Sequence, residues 1–566
     1  LQQLKLRSNI NPKKFKGKVC KMNDTIKTVS GNIVDVLNKR IYPGVIKISN
    51  RTIVDIIQED TNYATYIVPG LVDAHIHIES SMLPPSEFAR IALTHGTVAT
   101  VSDPHEIANV LGMDGVKYMI DDAKTVPLKF YFGAPSCVPA TTFETSGAFL
   151  GPEDVEDLLK RDEIKYLAEM MNFPGVINND PAVIKKIESA QKYSKPVDGH
   201  APGLQGKDLE QYVRSGITTD HECLSREEAL EKIALGMKIQ IREGSAAKNF
   251  DEFISLADEH YKRCMFCSDD KHPDDLVAGH INDLVRRALN HGLDIMKVLT
   301  IASLNPVFHY GLDVGLLRKG DDADFLEIDN LNDFNILKTY IKGAVVAENG
   351  RSFIPKRPAK IMNNFNVNKK GVADFTLPFK GGKINVIEAI DGQLITGKSI
   401  VTPRVVDGLV ESDVERDILK IAVVNRYNED RVAIGFIKNF GLKKGAIASS
   451  VAHDSHNIIS VGATDEDIWR AVNLIIENKG GICALSEDKE FVLPLPIAGI
   501  MSNEDYAEVA KKYTQMDKMA KSLGSTLHAP FMTLSFMALP VIPALKLTDQ
   551  GLFDGEKFEF IGVFEE

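Results

Sequence analysis

The sequence predicts an α/β molecule: a (β/α)₈ TIM-like barrel, a composite small β-sandwich contributed by both of its flanks, and an additional C-terminal α/β domain. Three observations carry this. From about residue 65 to about residue 305, eight apolar strand-like runs alternate with amphipathic helix-like segments. That alternation is what a (β/α)₈ barrel requires, although a doubly wound sheet shares it. Short alternating segments broken by Gly, Asn and Pro stand on both sides of that block. Beyond it, residues 365–566 are long enough to hold a core of their own. The resulting ranges are 1–66 for the first part of the sandwich, 67–308 for the barrel, 309–360 for the second part, and 365–566 for the C-terminal domain.

In chain order, "SGNIVDVLNKRIYPGVIKISNRTIVDIIQ" supplies the first flank's strands. The barrel runs are "TYIVPGLVDAHIH", "TVATVSD", "LKFYFGA", "YLAEMM", "PVDGHA", "TTDHE", "MKIQIRE" and "CMFCSDD". Helix-like segments such as "PSEFARIALTHG", "DPAVIKKIESAQKY" and "DDLVAGHINDLVRRALNHG" lie between or after them. The second flank begins at "YGLDVGLLRKGDDADFLEID". In the C-terminal region "DVERDILKIAVVNRY", "EDIWRAVNLIIENKG" and "EDYAEVAKKYTQMDKMAKSLG" read as helices.

Composition narrows the function classes. Hydrophobic residues make up 44% and charged residues 25%, ordinary globular usage. A formal charge of −12 argues against a nucleic-acid polymer as partner, since the basic segment "NPKKFKGK" is short and isolated. No stretch approaches the ~20 apolar residues of a membrane span, and "LQQLKLRSNI" lacks the apolar centre of a signal peptide. No membrane partner and a cytoplasmic location are expected. Six cysteines scattered over 566 residues make no disulfide framework, so reduced thiols are expected.

The strand ends carry the chemistry. In "VDAHIHIESSM", residues 72–82, His75 and His77 are two apart and leave a strand on one face, side by side, as a divalent metal would require. A lone His-x-His is as often a pair of histidines satisfied by carbonyls. Other runs end alike: Asp103 and His105 in "SDPHE", Glu169 in "YLAEMMN", His200 in "DGHAPG", His221 in "TDHE", and Asp269 and Asp270 in "CSDDKH". In a barrel these ends converge on one mouth, which predicts a metal site. A rival signature, His-x-Glu followed by Pro-Cys-x-x-Cys, is matched only by "HIE" and a distant "CMFC" with no proline before Cys264. Cys264 and Cys267 read as buried strand cysteines.

Through "PGLVDAHIH", His200, His221, "SDD" and the G-x-L-x-x-G-x-x-A-D-F stretch at 315–325, the chain resembles the amidohydrolase superfamily over about residues 25–355. Within it, "TVSDPHEIANVLG", "GHAPGL", "TTDHECLS", "FCSDDKHPDDL" and the C-terminal "VAHDSHNIISVG" resemble the adenine deaminases over nearly the whole length. Many superfamily members bridge two metals with a carboxylated lysine on the fourth strand. Here the fourth run offers Glu169, which suits the adenine deaminase pattern and argues against a hydantoinase or dihydroorotase.

The resemblance implies a binuclear centre of Mn²⁺ or Fe²⁺, with Zn²⁺ also compatible with His and carboxylate ligands. His75, His77 and Asp269 are assigned to one ion and His200 and His221 to the other, with Glu169 bridging and His105 as an additional ligand. The implied reaction is hydrolysis of adenine to hypoxanthine and ammonia, in which coordination lowers the pKa of water from ~15.7 towards ~7. Asp269 is the leading acid/base and Glu169 shares in protonation of the ring. Glu79 and His272 are candidate substrate contacts, and Asp270 is read either as a group supporting the metal ligands from behind or as a cap for the helix beginning near Pro273. The alternatives are an amidohydrolase of another cyclic amidine or amide, and a non-enzymatic barrel scaffold or ligand-binding protein. A homo-oligomer is expected, a dimer being its simplest form.

A small flat base needs a covered pocket, and the barrel loops are short apart from "GAPSCVPATTFETSGAFLG". The segment "VAHDSHN", residues 451–457, of this chain or a partner subunit is therefore expected near the mouth, with His453 and His456 as candidate substrate-binding residues. If extended, it would put Ala452, Asp454 and His456 on one face; the structural alternative is a polar turn.

Overall fold

A computed structural model of the chain describes residues 26–428 and 432–565. The N-terminal segments at 1–10 and 11–18 and Cys20 lie outside the described residues. Strands β1 (Lys27–Asp35), β2 (Arg40–Ser49) and β3 (Thr52–Gln58) form an antiparallel meander, and β4 (Tyr66–Pro69) joins β1 in parallel. The run "TYIVPGLVDAHIH", read from sequence as one barrel strand, is two strands: β4 belongs to the flank sheet and β5 (Leu71–Ile76) opens the barrel. The division falls at Gly70, where a Cβ would lie 2.3 Å from a Val98 methyl, so only glycine lets the chain pass this close.

The barrel continues through β6 (Thr97–Ser102), β7 (Lys129–Ala134), β8 (Ile164–Met170), β9 (Val197–Gly199), β10 (Thr219–Asp220), β11 (Lys238–Arg242) and β12 (Cys264–Cys267), all parallel to their neighbours. Strands β5–β9 and β10–β12 form two sheets that meet at two seams. At one seam Val197 bridges Ile217; at the other Ile76 bridges Asp269, whose N–H donates to the His75 carbonyl at 2.9 Å. Asp73 of β5 reinforces the second seam by accepting the Ser268 N–H at 3.1 Å.

Helices cover the ring where the sequence asks for them. Helix Pro181–Lys192 starts at Asp180, whose carboxylate accepts the N–H groups of Ala182 and Val183. The segment "DDLVAGHINDLVRRALNHG" is broken into helices Pro273–Ala278 and Ile281–Asn290. Its buried His280, between them, reaches Asp73 Oδ2 at 2.8 Å and Thr97 Oγ1 at 2.7 Å.

After the barrel, β13 (Phe325–Ile328), β14 (Ile336–Ile341), β15 (Ala344–Glu348) and β16 (Arg351–Ser352) extend the flank sheet through β13 beside β4. Both flanks thus enter one eight-stranded sheet around a core that includes Ile33, Ile46, Ile67, Phe325 and Tyr340.

The C-terminal region forms a second eight-stranded sheet with helix Asp465–Glu477 on one face. Its other face joins the barrel's hydrophobic core without a break. Here the helix expected over 413–427 is replaced by a central strand, Ile418–Val424. Ile421 and Val423 pack towards the barrel side, Ala422 and Val424 towards the helix. A strand covered on both faces shows no polar alternation, which is why its period was misleading. The helices expected at 466–480 and 504–524 are present as Asp465–Glu477 and Tyr506–Ser522. Among the described residues no helix is long and apolar enough to cross a membrane.

Candidate active site

Strand ends β5, β6, β8, β9, β10 and β12 deliver their polar residues to one buried cluster. His75 and His77 leave β5 on the same side, with their Nε2 atoms 3.2 Å apart. His77 Nδ1 lies 3.2 Å from the Asp103 carbonyl, which can only accept, so Nδ1 carries a proton and, whenever the ring is neutral, Nε2 offers the lone pair. That nitrogen faces Glu169 Oε1 and Asp269 Oδ1, each at 3.2 Å. His75 Nε2 is 3.5 Å from Asp269 Oδ1 and 4.0 Å from Glu169 Oε1. The second Glu169 oxygen faces the opposite pair, His200 Nδ1 at 2.8 Å and His221 Nε2 at 3.2 Å.

Atoms that can only accept, or that offer a lone pair, are therefore crowded together in a water-poor interior. Either protons or a cation must reconcile them. Without a cation the carboxylates keep histidines charged: burial works against it, but Glu169 and Asp269 lift His221 to about 9. Likewise burial opposes ionisation of Glu169, yet His221 and His200 hold its carboxyl well below the usual range. A divalent ion fits the donor set directly. Bonds of ~2.0–2.2 Å imply ligand-to-ligand spacings of about 3–3.6 Å, close to those found here.

His105 enters from the first turn of helix His105–Leu111, with Nδ1 2.9 Å from Asp103 Oδ2 and 3.5 Å from Glu169 Oε1. Its Nε2 faces Glu106 Oε1 at 3.2 Å. Glu106 in turn is gripped from the C-terminal domain: His453 Nδ1 lies 2.5 Å from Oε1, and His456 Nε2 stands against Oε2. The segment "VAHDSHN" is a buried turn and not a strand, so Ala452, Asp454 and His456 share no strand face. His453 and Asp454 line the cavity over the cluster, whereas His456 does not.

Two sequence candidates sit elsewhere. Glu79 accepts the Ile107 N–H at 3.2 Å, at the first turn of the His105 helix, and burial pushes its carboxyl up to about 7. His272 Nδ1 pairs with the Tyr513 hydroxyl of the C-terminal domain, and burial holds the ring neutral, at about 3. Neither lines the cavity. Asp270 does line it; it accepts from Ser80 Oγ at 2.5 Å and does not cap the following helix, whose N-cap position is His272.

Arg242 was missed. At the end of β11 it donates to Asp269 Oδ2 at 2.8 Å and, with both terminal nitrogens, to Glu222. Burial opposes the Asp269 carboxylate, but Arg242 and the neighbouring histidines hold its pKa well below the ordinary range. As a cation, Arg242 falls outside any pattern of metal-competent strand ends. The available clue was a charged residue ending an otherwise apolar run.

The comparisons with known proteins agree with this geometry. Residues 66–346 match the model of the amidohydrolase family, and residues 393–559 match that of the adenine deaminase C-terminal domain. An adenine deaminase of Salinibacter ruber is 55% identical over 539 residues, covering 95% of this chain and 99% of that protein. One of Methanosarcina barkeri is 54% identical, covering 95% and 100%. One of Borreliella burgdorferi is 51% identical, covering 94% and 99%. The chain belongs to the adenine deaminase family. Membership in the amidohydrolase family implies a divalent metal, and the cluster around Glu169 supplies candidate ligands for it. The stretch matching the adenine deaminase C-terminal domain contributes Leu394, His453, Asp454, Phe536, Leu539 and Ile542 to the cavity wall.

Proposed function

We propose that this chain is a metal-dependent adenine aminohydrolase of purine salvage, converting adenine and water to hypoxanthine and ammonia. The observation that carries the reading is Glu169, whose two oxygens face two separate histidine pairs beside an Asp269 pinned by Arg242. When bound, a pair of divalent ions supplies a water whose pKa is lowered to near neutrality. Asp269 Oδ1, held in place through Oδ2, is set to take the proton of the water that adds at C6 and to return it to the departing amine. Leu394, Phe536, Leu539 and Ile542 offer apolar faces to a flat base and exclude bulk water.

Within this reading His75, His77 and Asp269 hold one ion, His200 and His221 the other, and His105 is an additional ligand. Mn²⁺ or Fe²⁺ suits a set of nitrogen and oxygen donors, with Zn²⁺ as the alternative. The nearby thiol of Cys267 is kept protonated by burial and does not compete. A cytoplasmic setting fits the five described cysteines, all free and buried.

The test is direct. Purified protein loaded with Mn²⁺ or Fe²⁺ should release ammonia from adenine with hypoxanthine as the product. Adenosine as the markedly better substrate, or no ammonia from adenine under either metal, would reject the assignment.

A further inference from the structure

The carboxylates around the cavity are nearly all engaged. Glu169 and Asp269 face the histidine cluster, and Glu222 receives both terminal nitrogens of Arg242. Asp270 accepts from Ser80, and Glu106 is held between His453 and His456. Asp454 is the exception. Its residue is 2% exposed and Oδ2 has no donor, the nearest ring nitrogen being His105 Nε2 at 3.9 Å.

A buried carboxylate oxygen without a donor is costly, and a site keeps one where a ligand completes it. The turn that presents Asp454 is fixed from several sides. His453 N–H donates to the Ser535 carbonyl at 3.1 Å, Tyr427 Oη to the Ser455 carbonyl at 2.5 Å, and Asn457 Nδ2 to the Thr145 carbonyl at 2.9 Å. Asp454 is thus a preorganised acceptor on the wall opposite the barrel strands.

Resting on the adenine reading above, we propose that Asp454 accepts the N–H of the purine's five-membered ring and so determines specificity for the free base. A free purine carries one such N–H, at N7 or N9. In a nucleoside the glycosidic bond replaces it, and the acceptor would be left buried and unpaired. A site built around a substrate N–H rejects an analogue lacking it far more strongly than an apolar pocket rejects a change of size.

The experiment compares adenine with its sulfur isostere, an aminothiazolopyrimidine that keeps the shape and the reacting amino group but has no ring N–H. Wild-type kcat/KM should favour adenine by about 10²-fold or more. Asp454→Ala should lose that preference to within about fivefold, chiefly through adenine's KM, whereas Asp454→Asn, whose amide oxygen still accepts, should keep most of it. An active wild type without the preference overturns the proposal, as does an Ala variant that retains it. An Asn variant whose preference for adenine falls to within about fivefold would show that Asp454 acts through a proton and also overturns it; this arm stands even if the Ala variant does not fold. A wild type that releases no ammonia from adenine fails the functional reading itself, a separate result.

Discussion

Arg242 ligates nothing, yet two buried carboxylates depend on it. It holds Glu222 through two nitrogens and Asp269 through one, so it sets both the charge and the angle of the proposed acid/base. Removing one partner of such a buried group leaves uncompensated charge, at a cost of about 3–5 kcal/mol. Arg242→Met should lower kcat by at least about 10²-fold, with Arg242→Lys recovering only part, because an ammonium cannot span both acids. Steady-state kinetics on the two variants checks this, and Lys at wild-type rate would remove Arg242 from the account. At this scale legibility followed distance along the chain. His75 and His77 could be paired from their spacing, whereas Arg242 meets Asp269 from a neighbouring strand. Glu106 meets His453 across 347 positions, a contact that no local pattern records.

Among the elements, the barrel strands were legible because polar residues end most of the apolar runs. The strand Ile418–Val424 was not, because it is buried on both faces. The strand Leu545–Thr548 carries a less visible function. Its Lys546 is fully buried and donates to the carbonyls of Leu394 at 2.7 Å and Phe536 at 2.9 Å, tying together two pieces of the cavity wall. Burial pushes this lysine down to about 7 from an ordinary 10.5. Between those values the unfolded chain binds a proton that the folded chain does not, so this group makes stability rise with pH from about 7 to about 10 and stay level below 7. The slope is at most about 1.4 kcal/mol per pH unit. Melting temperatures of wild type and Lys546→Met, taken from pH 6 to pH 9, should therefore diverge above about pH 7, the wild type gaining on the variant. Parallel profiles would contradict a buried, depressed lysine at this position.

The whole molecule is a barrel whose mouth is closed by its own C-terminal domain. One hydrophobic core crosses the boundary, and His453 and His456 grip Glu106 across it. The need for a cover could be read from short barrel loops and a small flat ligand; the grip on Glu106 could not, since it joins residues 347 positions apart. The paired cluster around Glu169 lies beneath that domain, and the pairing is the central claim. Elemental analysis of Mn²⁺-loaded protein, wild type against Glu169→Gln, tests it most directly. The account predicts two ions per chain in the wild type and one or none in the variant, with ammonia release from adenine lost. A wild type that holds no ion, or a folded variant that holds as many as the wild type, would contradict it.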